Sequence, residues 1–253
     1  MSEQVAYRTL QRDDYPTLTT LIQNAWHANE DCSDEQAHRI AEADLEYCLA
    51  RTTTARVATI HDSVIGVILG RIDSRETRRG SYNKHHRHVG TLLFPLHFSK
   101  TGRKLVDRLK AEHEADRRML EKAKREGAAY DAEIVLFIVD PAYRGQGIGG
   151  QLFDWMLGEF KAAGVKNYFL MTDTTSDFAF YDHQGMNLAQ QGTLAYGAAD
   201  DDEMNAQPDP GSSAAPAPQL AAENLDLDQH LRVLMYDDET DFSNEGVNPL
   251  GRG

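Results

Sequence analysis

Cysteine is scarce in this chain. Two residues, Cys32 and Cys48, in a length of 253 cannot build a disulfide framework. Neither has a second cysteine near it, which excludes a zinc site of the four-thiolate type. Long apolar runs are also missing. None approaches the ~20 residues of a membrane helix, so no membrane association is expected. The opening stretch, MSEQVAYRTLQRDD, has no apolar signal-peptide core, and a cytoplasmic protein is the expectation. No internal repeat stands out. Positive charge is in deficit: 26 Lys+Arg face 40 Asp+Glu, for a net charge of −14. Most of that deficit lies in residues 200–253, with 13 acidic and 2 basic side chains. The imbalance argues against nucleic acid as a partner.

What is present fits a globular protein. Hydrophobic residues make up 41% and charged residues 26%, with length enough for an ample core. Residues 6–10 (AYRTL) read as a first strand. A helix follows, capped by Asp13 or Asp14, with Leu18, Leu21, Ile22, Ala25 and Trp26 at helical spacing. A second helix is expected over 33–49, with Ile40, Ala41, Asp44, Leu45 and Cys48 on its inner face. Residues 55–60 and 63–72 form a hairpin joined at His61-Asp62. Residues 132–140 make a strongly apolar strand, and the helix after RGQGIGG runs to about Ala163 with Gly164 as its C-cap. Strand 165–173, a short helix over 176–185, strand 186–196 and strand 230–237 complete the order. A meander implies antiparallel pairing and the strand–helix–strand unit one parallel pair. The expected fold is therefore α+β: a mixed, largely antiparallel sheet between helical layers, in one domain over 1–253. It carries a basic insertion at 73–130 and a mobile loop rich in Ala, Pro and acid at 197–224.

The chemistry concentrates in IVLFIVDPAYRGQGIGGQLFDWM, residues 134–156. Six of the seven residues from Ile134 to Asp140 are apolar, as in a strand buried on both faces. The turn carrying Arg144, Gly145, Gln146, Gly147, Ile148, Gly149 and Gly150 then leads straight into a helix. Glycines bare the backbone amides, and the helix N-terminus adds its dipole. The physical output is a cradle for phosphate or pyrophosphate at the end of a central strand. Gly145, Gly147 and Gly150 also satisfy G-x-G-x-x-G. Against a dinucleotide fold, DPAYR separates the strand from the first glycine, and the upstream meander is antiparallel. Tight-turn packing alone explains one or two of these glycines, not the run.

The run D-P-x-Y-R-G-x-G-I-G resembles the acetyl-CoA-binding signature of the GNAT superfamily of N-acetyltransferases, whose R/Q-x-x-G-x-G/A core is matched by Arg144, Gly147 and Gly149. The order of elements agrees with that family over roughly two-thirds of the chain. The resemblance implies an acetyl-CoA-dependent N-acetyltransferase, with direct transfer to a small-molecule amine or peptide. A non-catalytic acyl-CoA-binding regulatory module of the same fold is the alternative. By the same resemblance, the amides of Arg144 through Gly150 bind the CoA pyrophosphate, and the backbone of Phe137, Ile138 and Val139 pairs with the pantetheine arm. F-Y-x-x-x-G-F is matched by Phe180 to Met186, with Met in the final place. Tyr181 takes the role of proton donor to the thiolate, since a phenol with a pKa of ~10 suits a thiolate near ~8.5. Thr174 stands where relatives carry an Asn that contacts the cofactor arm. Glu133, eleven residues before Arg144, stands where many relatives place a base, acting directly or through a water. Asp173 is a second group for the substrate amine.

The insertion at 73–130 holds 15 basic and 8 acidic residues. Its first part is polar and basic. A long helix follows from about Gly102 to Glu126, with Leu105, Leu109, Met119, Leu120 and Ala123 as its apolar points. A solvated hairpin capping the sheet edge, a homodimer contact and a lid over the acceptor site all stand open. His85, His86 and His88 lie among cations and lack carboxylate or thiolate partners at a ligand spacing. They read as surface loop, and no metal is expected.

Overall fold

The computed structural model describes residues 4–28, 31–75, 79–174, 179–195 and 230–240; the loop expected at 197–224 lies outside them. Its strands are β1 (Ala6–Thr9), β2 (Thr54–Ile60), β3 (Ser63–Ile72), β4 (Ala132–Val139), β5 (Asn167–Asp173), β6 (Asn187–Ala195) and β7 (His230–Glu239). The helices are α1 (Tyr15–Ile22), α2 (Asp34–Arg51), α3 (Arg79–Leu93), α4 (Lys100–Arg125), α5 (Ile148–Ala162) and α6 (Ala179–His183). The strands make one sheet in the order β1-β2-β3-β4-β5-β7-β6. Every pairing is antiparallel except β4 with β5. This is the mixed, largely antiparallel sheet that the strand order implied.

Local chemistry explains several boundaries. The β2–β3 hairpin turns on His61 and Asp62, both at positive φ (48° and 65°), the geometry of a two-residue hairpin loop. Ser33 caps α2 reciprocally: its hydroxyl accepts from the Gln36 N–H while the Gln36 side chain accepts from the Ser33 N–H. At the end of α5, Gly164 adopts φ 72° and the Val165 N–H returns to the Phe160 carbonyl at 3.0 Å. That closes the expected glycine C-cap.

Three expectations need correction. Asp14 precedes α1 but does not cap it. Its carboxylate instead takes two 2.7 Å hydrogen bonds from Arg8 and one from the Gln11 N–H. The first helix also stops at Ile22, and Ala25 and Trp26 lie in a π-helical turn over Gln23–His27. The histidine stretch is helical rather than a loop. Within α3, His85 meets Glu46 of α2 at 2.5 Å and His88 meets the same carboxylate at 3.1 Å.

Helices cover both faces. On one, Ile148, Leu152, Phe153, Met156 and Phe160 of α5 pack on Ile68, Ile72, Ala132 and Ile134. On the other, α1 and α2 cover Val57, Val67, Leu69 and Ile138. The insertion extends this second layer and reaches the edge strand, where Gln190 of β6 donates to Glu126 at 2.6 Å. Leu105, Val106 and Leu109 of α4 join α2 and α3, while Met119 and Ala123 pack on Phe169, Val233 and Met235. One helix thus runs from the α2–α3 cluster across to β5 and β7.

Candidate functional site

β4 and β5 begin side by side and then part. Their ladder has three rungs: Ala132 with Tyr168, Glu133 with Phe169, and Ile134 with Leu170. Beyond Ile134, β4 keeps its other partner as far as Val139, opposite Gly66 of β3. The register there steps from Ile134–Gly70 to Leu136–Leu69, so Val135 is an extra residue, a β-bulge where the strands separate. The Asp140 N–H donates to the Ile65 carbonyl at 2.8 Å. By strand alternation Ile138 also turns its backbone to β3, while Phe137 and Val139 turn theirs toward the gap. Two of the three expected residues therefore offer open backbone. Ile138 instead contributes its side chain, which with Leu21, Asn24, Ala25 and Arg144 lines a cavity of ≈ 60 Å³.

The glycine loop lies at the same end of β4. The Asp140 carboxylate accepts from the Ala142 N–H at 2.9 Å and fixes the first turn. Gly145 and Gly147 adopt φ 74° and 76°, left-handed values that strain any side chain. Gly147 is also the N-cap of α5 and supplies no side chain to satisfy the first-turn amides. Arg144, Gly145, Gln146 and Gly147 are exposed, Ile148 is buried beneath them, and a Cβ at Gly145, Gly147 or Gly150 would meet nothing within 4 Å. The result is an open shelf of N–H groups at a helix N-terminus, the chemistry a pyrophosphate needs.

Tyr181 is buried on the α5 face of the sheet. Its ring lies 5.6 Å from Phe180 and 5.5 Å from Tyr236, whose hydroxyl donates to Asp182 at 2.9 Å. Phe180 in turn meets Phe137 at 5.4 Å, so α6 closes on the free edge of β4 through aromatic contact. Thr174, half-buried, follows the last residue of β5.

Glu133 sits on the opposite face and is 2% exposed. Its Oε1 forms an ion pair with Arg51 of α2 at 2.8 Å. Oε2 lies 3.0 Å from Arg71 Nη1 but off the line of a hydrogen bond. Above it runs α4. Leu105, Leu109, Glu112, Asp116, Met119 and Ala123 recur at alternating steps of four and three, one stripe along the helix. The four apolar members are buried against the two clusters already described. Glu112 and Asp116 fall between those clusters, where β4 and β5 part. Asp116 is half-buried, and its carboxyl is pushed up to about 7. Burial is the main cause; Arg51 opposes it, and the charges of Glu133, Glu112 and Asp173 add to it. Asp116 is not among the residues expected from the sequence; its one local sign was a pair of carboxylates, Glu112 and Asp116, interrupting an apolar stripe. His113, beside it, is lowered by burial and stacks edge-on with Tyr47 at 4.5 Å.

The two faces thus bring different chemistry to one gap: Tyr181 on the α5 side, the carboxylates on the α4 side, and the glycine shelf at the mouth. A larger hollow of ≈ 360 Å³, lined by Ser33, Gln36, Arg39, Leu96 and Phe98, shares no residue with this arrangement. Among the described residues, no group of three or more His, Cys, Asp or Glu is placed to hold a metal ion. No helix among them is long and apolar enough to cross a membrane.

The model of the acetyltransferase (GNAT) family matches residues 9–186. No curated protein matches the chain in sequence. Among solved structures, mosquito arylalkylamine N-acetyltransferase like 5b is similar at 19% identity and a TM-score of 0.51, over 93% of this chain and 100% of that one. The ribosomal-protein-S18-alanine N-acetyltransferase of Escherichia coli is similar at 12% identity and a TM-score of 0.48, over 97% of this chain and 99% of that one. A GNAT family acetyltransferase from Brucella melitensis, solved with acetyl-CoA, covers 73% of this chain and 84% of its own at 15% identity and a TM-score of 0.38. At 19% identity the likeness to the mosquito protein is one of fold.

Proposed function

Because the chain belongs to the GNAT acetyltransferase family, we propose that it moves an acetyl group from acetyl-CoA to a primary amine by direct attack in a ternary complex. One observation carries this reading: β4 and β5 share three rungs and then part beside the glycine shelf, leaving backbone of β4 free. The cosubstrate supplies an activated thioester. The amides of Arg144 to Gly150 hold its pyrophosphate, with the dipole of α5 behind them. The Phe137 and Val139 backbone pairs with its arm, Thr174 contacts it from β5, and amides of the open β4 edge stabilise the developing oxyanion. Tyr181 gives its proton to the departing sulfur. Glu133 draws the proton from the amine through an intermediary, since its own carboxylate is buried and engaged by two guanidinium groups. The acceptor is a small amine or a peptide amine reaching the gap from the α4 face.

That engagement of Glu133 also favours a second reading, an acyl-CoA-binding module without turnover. Two measurements separate the readings. Thermal unfolding is followed with acetyl-CoA, CoA and NADPH titrated separately, and a rise of the midpoint with the CoA species alone is expected. Free-thiol release with a panel of amines then reports transfer. A rise with NADPH instead would overturn both readings, and binding without thiol release would favour the second. Acetylation left intact by both Glu133→Gln and Tyr181→Phe would sink the residue assignment.

A further inference from the structure

Resting on that transferase reading, we propose that Asp116, carried by the inserted helix α4, is the intermediary before Glu133: the catalytic residue that takes the proton from the acceptor's ammonium group, with Glu133 as the buried charge behind it.

Placement comes first. α4 is anchored at both ends of its apolar stripe, by Leu105 and Leu109 on α2 and α3 and by Met119 and Ala123 on β5 and β7. Asp116 lies between the anchors on the same stripe, so it faces the sheet rather than solvent. The charges that act on it are Arg51 at the end of α2, Glu133 at the start of β4, Asp173 at the end of β5, and Glu112 one turn back on α4. These surround the opening between β4 and β5.

Access comes second. Glu133 is 2% exposed and tied to Arg51 and Arg71. An amine reaches it only by displacing those groups. Asp116 is half-buried, and among the described residues its neighbours act on it through space rather than through a hydrogen bond or ion pair. Of the other titratable groups of that turn, His113 is turned to Tyr47 and to Asp44, 3.9 Å away, and Glu114 is paired with Arg117 and Arg118.

Proton affinity comes third. A carboxyl raised to about 7 is present in part as the base at neutral pH, yet holds a proton strongly enough to take one from an ammonium. The proton count closes. Asp116 takes one proton from the ammonium and returns it to water at the mouth. The neutral nitrogen attacks the acetyl carbon, the C–N bond forms and the C–S bond breaks. The second proton lost from nitrogen balances the one Tyr181 gives to sulfur. One proton is released per turnover, and no oxidant or further reactant is needed.

The test uses the full-length protein and Asp116→Asn, an isosteric change. Two small amines of similar shape serve as acceptors at pH 7: ethylamine, almost wholly protonated, and 2,2,2-trifluoroethylamine, whose fluorines leave it mostly neutral. Loss of a general base should lower kcat with ethylamine about 100-fold and leave the trifluoro amine nearly untouched, with the KM for acetyl-CoA unchanged. Asp116→Glu should restore part of the ethylamine rate. Equal losses with both amines, or no loss with ethylamine, overturn the proposal. A second readout needs no turnover. The folded carboxyl titrates near 7 and the unfolded one near ~4. Between those values the folded state binds the extra proton, so wild type loses stability relative to Asp116→Asn as pH rises through that window. A difference in melting midpoint that stays flat from pH 4 to 8 overturns the placement of Asp116. The transferase reading fails separately, if acetyl-CoA does not raise the midpoint of either protein.

Discussion

Arg51, the last residue of α2, forms a 2.8 Å ion pair with Glu133 Oε1 at the point where β4 and β5 begin to part. The two partners are unlike in surroundings: the arginine side chain is 42% exposed and the glutamate side chain 3%. Removing either does not cost the same. Arg51→Ala leaves a buried carboxylate with only the poorly aligned Arg71, and breaking a buried pair in this way costs about 3 kcal/mol. Glu133→Gln leaves two arginines that can turn to water, and should cost less. Urea unfolding of the two variants is expected to rank Arg51→Ala as the less stable.

The glycine shelf makes a claim about binding with little effect on the fold. Gly147 has φ 76° and open space around it. Gly147→Ala adds a left-handed strain of about 1–2 kcal/mol and a methyl group on the anion-facing side. The expected outcome is a folded protein whose midpoint rises far less with CoA than that of wild type. An unchanged CoA response would remove this loop from the site.

Tyr181 is packed by rings on two sides, and Tyr181→Phe keeps both ring contacts, so the variant should fold. If the phenol donates to sulfur, kcat falls by about 100-fold while the KM for acetyl-CoA holds. A variant with full kcat would leave Tyr181 a packing residue only.

Cys48 offers a pH test. Its thiol, pushed up to about 12 by burial against the partial opposition of Arg51, donates to the Val135 carbonyl at 3.8 Å. The native protein should resist alkylation at Cys48 at pH 8 and lose that protection in urea, which peptide mass spectrometry reads directly. An unfolded thiol ionises near ~8.5 while the folded one keeps its proton. The folded state therefore loses stability as pH climbs from about 8.5 toward 12. Cys48→Ser should flatten that decline.

The sequence was most informative where a local rule acts alone. A left-handed backbone favours glycine, so the turn glycines Gly145 and Gly147 and the helix-ending Gly164 were legible one residue at a time. The β2–β3 hairpin and the apolar strand β4 followed from alternation and turn chemistry. Reading failed where distant segments decide. Glu133 was visible as a carboxylate at the start of a strand, but the guanidinium groups on it come from residues 51 and 71. The histidines of α3 looked like a solvated loop because their partners, Glu42 and Glu46, lie some forty residues earlier. Asp116 was hidden for the same reason. Its neighbours Arg51, Glu133 and Asp173 converge only in the fold.

The short ladder between β4 and β5 has a mechanical meaning. Three rungs weld two plates, β1 to β4 and β5 to β7, into one sheet. A weld so short resists shear but little torsion, and α4 works as a cross-brace, clamped directly to β5 and β7 and, through α2, to the other plate. The brace fixes the angle at which the plates stand and so gauges the width of the slot between them. A strained brace would widen or pinch that slot without touching any residue inside it.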